Sequence, residues 1–532
     1  MLLTEILKFA LRYWFVVIPA VITGWLLKNK YNRGLNKYPG HWLAAYTDWW
    51  RFWDVWHRKT EKTHLKLHRE LGDVIRLGPN TLSFADPKAI KVIYGLNKGF
   101  TKSEFYPVQQ AVSKGQRLPS LFSTTDEDYH SKYRRCVNNA FAMSSLVSFE
   151  PLVNKTINVF LDQTGKIFAS TGKSCNFNQW LQFFAFDVIG DLTWSRRIGF
   201  VEQNEDVDGI VKFIGDFLSY AAPVGQMPLL DLVFKKNPIF MLSQKWGLNN
   251  TIFPATRFAL ARSAERAGEM DKVRETGLPP PSSKGTTDNP GGIDLLTRFT
   301  QAQHAHPEFM TDREVLTACV SMVFAGSETT AISLSTVFYM LVTHPRVYQK
   351  LMEEIENAVR DGGIEPRETG TVSWGESQKL PYLDAVIQEC FRVHPAAGLI
   401  VERVVPKQGI EICGRFVPGG TIVGCNAWVL HRRPEIFGED VDVFRPERWL
   451  EADAAKLRDM KATMFQFGAG ARTCIGKNIS LLEIYKLVPS FLRRFEISLV
   501  DPTKPWRLHN AWFVRQLDFN VRFTARRVQA TV

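Results

Sequence analysis

The stretch FGAGARTCIGKN, Phe467–Asn478, sets Cys474 among three glycines with Arg472 two residues ahead of it. A structural cysteine is normally wrapped in apolar side chains. Glycine instead lets backbone approach a large object closely and adopt conformations that other residues resist. The segment then runs into KNISLLEIYKLVPSFLRRF, which has helical spacing, so any object at Cys474 also faces a helix N-terminus. A dinucleotide loop would need a third glycine where Thr473 stands. A phosphate-binding nucleophile would want its arginine after the cysteine, and Arg472 precedes it.

A thiolate ligand to haem iron explains each part. Glycines let the backbone lie against a flat macrocycle, and nearby amides hold the sulfur as thiolate. Arg472 suits an anionic propionate. FGAGARTCIG resembles the haem-binding signature FxxGxRxCxG of the cytochrome P-450 family, with Phe467, Gly470, Arg472, Cys474 and Gly476 at its fixed positions and Gly468 as a further expected haem contact. The resemblance implies a mainly α fold with small β-sheets, and haem (heme b) held by Cys474 as axial metal ligand.

Further motifs of that family follow in its order. AGSETT, Ala325–Thr330, lies in a long apolar segment opened by the capping box TDRE at Thr311–Glu314. Gly326 costs a helix about 1 kcal/mol relative to alanine, and Ser327, Thr329 and Thr330 compete for backbone carbonyls. A local helix distortion is therefore expected, with a helix–helix packing notch as the alternative. The acid Glu328 beside the alcohol Thr329 resembles the family's proton-delivering pair. ECFR resembles ExxR: Glu389 and Arg392 share a helix face. The family locks that pair with a later arginine, for which Arg448 in FRPERW is the candidate, in a scaffold role. YHSKYRR resembles the helix that meets a haem propionate through Arg134; His130 stands where the family usually has tryptophan. Arg403 in IVERVVP resembles a third propionate arginine. By the same resemblance, substrate contacts are expected from the Phe105–Phe122 loop, from Val323, Phe324 and Ala325, from Ala397, Gly398, Leu399 and Ile400, and from Trp512 and Phe513.

The formal charge is +12, and the seven cysteines are scattered without a CxxC pair. That spacing argues against a disulfide framework or a zinc site, and for a reducing compartment. No nucleic-acid motif accompanies the basic excess, which is left for a membrane or an acidic protein. Residues 9–27, FALRYWFVVIPAVITGWLL, form a membrane-length apolar run interrupted by Arg12, and Lys28, Lys30, Arg33 and Lys37 follow it. The positive-inside rule then places the remainder in the cytosol. An anchor is expected at 1–30, with the endoplasmic reticulum as its membrane. A linker at 31–60 carries tryptophans 49, 50, 53 and 56 at interfacial-helix spacing, the alternative being core packing. A haem-thiolate catalytic domain is expected at 61–532. Residues 279–292, PPPSSKGTTDNPGG, read as a surface loop or linker.

The resemblance implies a monomeric monooxygenase. It would take O2 and NADPH-derived electrons from a separate NADPH-dependent diflavin reductase and oxidise a lipophilic small molecule. KYPG, LHRELGDVIRLGPNTLSFADPKAI and TKSEFY resemble the fungal pisatin-demethylase-like branch, which implies tailoring of a secondary metabolite. The competing readings are a haem-thiolate isomerase, dehydratase or peroxygenase, against which Glu328–Thr329 weighs, and a haem gas sensor.

Overall fold

A computed structural model describes residues 12–249, 252–276, 293–365 and 370–526. The expected loop at 279–292 and the first residues of the expected span lie outside these. Helices make up most of the chain, and one of them organises the rest. Asp312–Thr343 opens on the expected capping box, where Thr311 N donates to Glu314 Oε2 over 3.2 Å. Most of its length is buried, so although it is long and apolar enough to cross a membrane, it is the core helix. It packs on Phe177–Trp194, a mostly apolar helix buried nearly throughout, in which even Asp187 and Asp191 are shielded from solvent.

The helix runs unbroken through Gly326, which corrects the expected distortion. A Cβ at Gly326 would stand 2.4 Å from Cδ1 of Ile189 on the neighbouring helix. The glycine is thus a packing notch. The hydroxyls of Ser327 and Thr329 donate back to the carbonyls of Val323 and Ala325 at 3.0 and 2.7 Å, which satisfies them without breaking the ladder.

Small sheets flank the helices. Val74–Gly78 pairs antiparallel with Thr81–Phe84, which lies parallel to Ile422–Cys425, and Arg403–Val404 closes the edge. An isolated bridge from Thr101 to Val404 lays the TKSEFY segment beside Arg403. A hairpin, Arg507–Ala511 with Phe513–Leu517, turns at Trp512 (φ +79°), and Phe513 bridges Ala397.

Trp14–Lys30 is helical and has no buried residue. Trp49–Trp56 follows with Trp49, Trp53 and Trp56 more than half exposed, while Trp50 stacks on His41 with ring centroids 5.0 Å apart.

Candidate active site

The cysteine loop is closed by its own backbone. Gly468 N donates to Phe465 O and Cys474 N to Phe467 O, each over 2.9 Å, and Lys477–Arg494 begins directly after Gly476. The glycines have separate tasks. Gly470 has φ +67°, and a Cβ there would stand 1.7 Å from the carbonyl oxygen of Tyr94. Gly468 has φ +68° with open space around its Cβ position, and Gly476 has open space at an ordinary φ. Gly470→Ala should therefore cost about 2–5 kcal/mol, the sum of left-handed strain and overpacking. Gly468→Ala should cost only the strain, about 1–2 kcal/mol. Urea unfolding of both variants checks the difference, and equal costs would contradict it.

Cys474 is accessible, yet protein surrounds it closely enough for burial to push its thiol up. The backbone N–H groups of Gly476 and Lys477 and the charges of Arg134 and Lys477 act the other way and favour thiolate. Ala325 is likewise exposed, although it sits midway along the core helix. An accessible cysteine and an accessible alanine inside a packed core mark a slot for something that is not protein.

The slot has a basic end. His130 and Arg134 lie on Glu127–Val137, whose N-cap Asp126 accepts from Asp128 N and Tyr129 N at 2.9 and 3.0 Å. Tyr129 Oη in turn donates to Glu314 Oε1 over 3.1 Å, fixing that helix to the start of the core helix. Burial, then Arg472, Arg134, Lys102 and Arg403, push the His130 imidazole down to about 3. Of the four basic groups around this neutral histidine only Arg472 has a carboxylate partner, Glu127, among the described residues, so further anions are favourable here. Two propionates fit that demand. Arg134 Nη1 donates to Thr473 O (2.7 Å) and Arg403 Nη1 to Glu402 O (2.8 Å), so both are held in place with donors to spare. Arg472 is bound to Glu127 (Nη2–Oε1 2.8 Å) and to Leu121 O (3.1 Å), so its donors are partly committed within the protein.

Lys102 is a member of this cluster that sequence reasoning missed. It is buried, lies 4.1 and 4.2 Å from the ring centroids of Tyr106 and Phe122, and donates to Phe122 O. Burial and then Arg403 and Arg472 hold its ammonium well below the usual lysine range. The bridge from Thr101 to Val404 places it, and no motif spacing does.

Behind the cysteine loop Glu389 is fully buried and fully used. It accepts from Arg392 Nε and Nη2 (2.9 and 2.8 Å), Arg448 Nε (3.0 Å), Trp449 Nε1 (2.9 Å) and Arg445 N (2.9 Å). Arg392 also donates to the carbonyls of His431, Val441 and Val443. His431, unremarked in the sequence, carries this network to the loop. Its Nε2 accepts from Phe465 N (2.7 Å), which leaves Nδ1 as the donor to Arg392 O (3.2 Å).

The expected substrate residues divide in two. Ala325, Phe324, Ala397 and Phe513 are accessible or half-buried. Val323, Gly398, Leu399, Ile400 and Trp512 are buried among protein atoms. Leu399 and Trp512 share an apolar cluster with Phe105 and Tyr106 of the expected contact loop. Glu328 is buried beside Arg515, and Thr329 is half-buried one residue on.

Residues 44–518 match the family model described as Cytochrome P450. A protein of Aspergillus terreus named Cytochrome P450 monooxygenase is 40% identical over 502 residues, covering 93% of this chain and 97% of the relative. Cytochrome P450 monooxygenase cicH of Emericella nidulans is 40% identical over 492 residues, covering 92% and 94% respectively. Cytochrome P450 monooxygenase AFLA_114810 of Aspergillus flavus is 36% identical over 495 residues, covering 93% of each.

Proposed function

This chain belongs to the cytochrome P450 family and is a monooxygenase, and from that premise we propose that it oxidises a lipophilic small molecule as a tailoring step of fungal secondary metabolism. The accessible Cys474 thiol, with Arg134 acting on it and Arg472, Lys102 and Arg403 gathered with Arg134 around His130, is the observation that carries the haem reading. Haem held there by Cys474, with Arg134, Arg403, Arg472, Lys102 and His130 around its propionates, supplies the chemistry by which RH, O2, two electrons and two protons give ROH and water.

The protein's share is orientation, proton supply and exclusion of water. Gly476 and Lys477 amides and the helix N-terminus favour the anionic sulfur. Thr329 offers a hydroxyl at the slot, held by its bond to Ala325 O, and Glu328 offers a carboxyl one residue away. Burial pushes Glu328 up and Arg515 opposes this, which suits a group that must both hold and release a proton. Half-buried Phe324 and Phe513 give the substrate apolar contact.

Electrons come from a separate NADPH-dependent diflavin reductase. A cleft on the outer side of the loop, beside Phe467 and Gly468, carries Lys461 and Lys477, which suit an acidic partner face. Attachment to a membrane, for which the endoplasmic reticulum is the compartment proposed, is supported by Trp14–Lys30, which buries nothing, and by the exposed Trp49, Trp53 and Trp56. Exposed Leu229, Val233, Phe234, Ile239 and Trp246 add further apolar surface.

Thr329→Ala tests the proton supply. With reductase and a turned-over substrate, NADPH oxidation should persist while product per NADPH falls about tenfold or more, because positioned proton transfer contributes ~10²-fold or more. Unchanged coupling would remove Thr329 from the relay. Product formed without reductase or O2 would replace the monooxygenase reading with isomerase or peroxygenase chemistry.

A further inference from the structure

The acid of the core helix has a cationic neighbourhood that the reaction does not require. Glu328 Oε1 lies 3.0 Å from Arg515 Nε. The orientation makes no hydrogen bond, and neither carboxylate oxygen nor Arg515 Nε has a hydrogen-bond partner among the described residues. On its far side Arg515 meets a glycine: a Cβ at Gly215 would stand 3.0 Å from Nη1 and 3.1 Å from Nη2. Gly215 lies inside the helix Ile210–Val224, where glycine costs about 1 kcal/mol relative to alanine. That helix gives up stability at the point where the guanidinium needs room.

A second guanidinium adjoins it. Arg58 Nη2 donates to Ser219 O of the same helix over 2.7 Å, and its buried Nη1 has no partner among the described residues. His509 stands opposite Arg515 across the hairpin. Burial, Arg515 and Arg58 push its imidazole down to about 4, so it is neutral at pH 7. Arg515 thus has one carboxylate beside it and a second guanidinium, Arg58, on the same face of the neighbouring helix, while Arg515 Nε and Arg58 Nη1 have no hydrogen-bond partner among the described residues. A buried donor without an acceptor costs about 1–3 kcal/mol, and two cations packed together cost more unless an anion joins them.

The cluster lies close along the chain to residues expected to meet the substrate. Arg515 shares its strand face with Phe513, two residues earlier, and Phe513 bridges Ala397. Glu328 lies three residues, under one helical turn, from the accessible Ala325.

We propose that Arg515 and Arg58 form a recognition site for a carboxylate, so that the substrate is an amphipathic carboxylic acid with its apolar body towards Ala325 and Phe513. The proposal rests on the monooxygenase reading and deepens it. A planar guanidinium matches a carboxylate in geometry as well as charge. Glu328 keeps Arg515 oriented and keeps the cluster from repelling itself apart before the acid enters.

Calorimetric titration of the haem-loaded protein with two acids and their methyl esters tests this. Dodecanoate against methyl dodecanoate, and 6-phenylhexanoate against its methyl ester, cover aliphatic and aromatic bodies. In at least one pair the acid should bind about tenfold or more tighter than the ester, the effect of hydrogen bonds to a charged group. Arg515→Gln should remove that preference while leaving ester binding within about threefold, and Arg58→Gln should weaken it. If neither acid outbinds its ester, the donors are met by water and the proposal is wrong. A preference that survives in both variants also overturns it. The comparison on the unsubstituted protein stands even where a variant fails to fold. A protein that lacks the thiolate-type carbon monoxide spectrum fails the haem reading instead, which separates the two failures.

Discussion

Glu389→Ala is expected to cost about 3–5 kcal/mol, enough to leave little haem-loaded protein at 37 °C. The carboxylate neutralises two guanidiniums, Arg392 and Arg448, which with Glu389 are almost wholly shielded from solvent. Removing it leaves buried positive charge without a counter-ion and also frees Trp449 Nε1 and Arg445 N. Glu389→Gln keeps the shape and loses the charge, so it isolates the electrostatic part. Burial alone would raise the Glu389 carboxyl, but hydrogen bonding and charge from Arg392, the charge of Arg448 and the Arg445 amide outweigh it, and the group ends below its ordinary value. A depressed folded pKa contributes stability that is complete above the unfolded carboxylate value, about 4.3. That contribution is lost as pH falls through the folded value. The gap between the unsubstituted protein and Glu389→Gln in urea unfolding should therefore be widest above about pH 4.3 and shrink in acid. A gap constant from neutral to acid pH would show that the charge does not matter.

Cys474→Ser is expected to abolish both turnover and the thiolate-type spectrum while leaving the polypeptide folded. The loop does not depend on the sulfur: the Cys474 N–H bond to Phe467 O (2.9 Å) and the Gly468 N–H bond to Phe465 O (2.9 Å) are backbone bonds that serine retains. Stability of the haem-free chain should change by about 1 kcal/mol or less, as for near-isosteric substitutions. What serine cannot supply is a soft donor that iron can hold as an anion, because a hydroxyl is far less acidic than a thiol, and the Gly476 and Lys477 amides and the Arg134 charge favour the thiolate form. Detectable product from this variant at anything near the original rate would mean that the sulfur is not the working ligand.

The elements legible in the chain were those written in local spacing. The TDRE box fixes the start of the core helix because an N-cap and its partner lie three residues apart. Glu389 and Arg392 meet for the same reason. Gly470 announces a tight backbone approach, although not that Tyr94 is what approaches. The rest is tertiary. Lys102 joins the basic end of the slot through a single bridge between distant segments. His431 reaches the cysteine loop through a bond spanning 34 residues. Arg515 finds Glu328 only because a hairpin near the C-terminus folds against the core helix. Gly326 shows the opposite hazard: its helix cost is real, but it is offset by the close approach of Ile189 and not released as a kink.

The proposed sulfur–iron bond at position 474 is tested most directly by the ferrous carbon monoxide adduct of the purified, haem-loaded chain. A Soret band at the long-wavelength position diagnostic of an axial thiolate is the expected result. A band at the position of an imidazole-ligated globin, or no stoichiometric haem after supplementation, would contradict it.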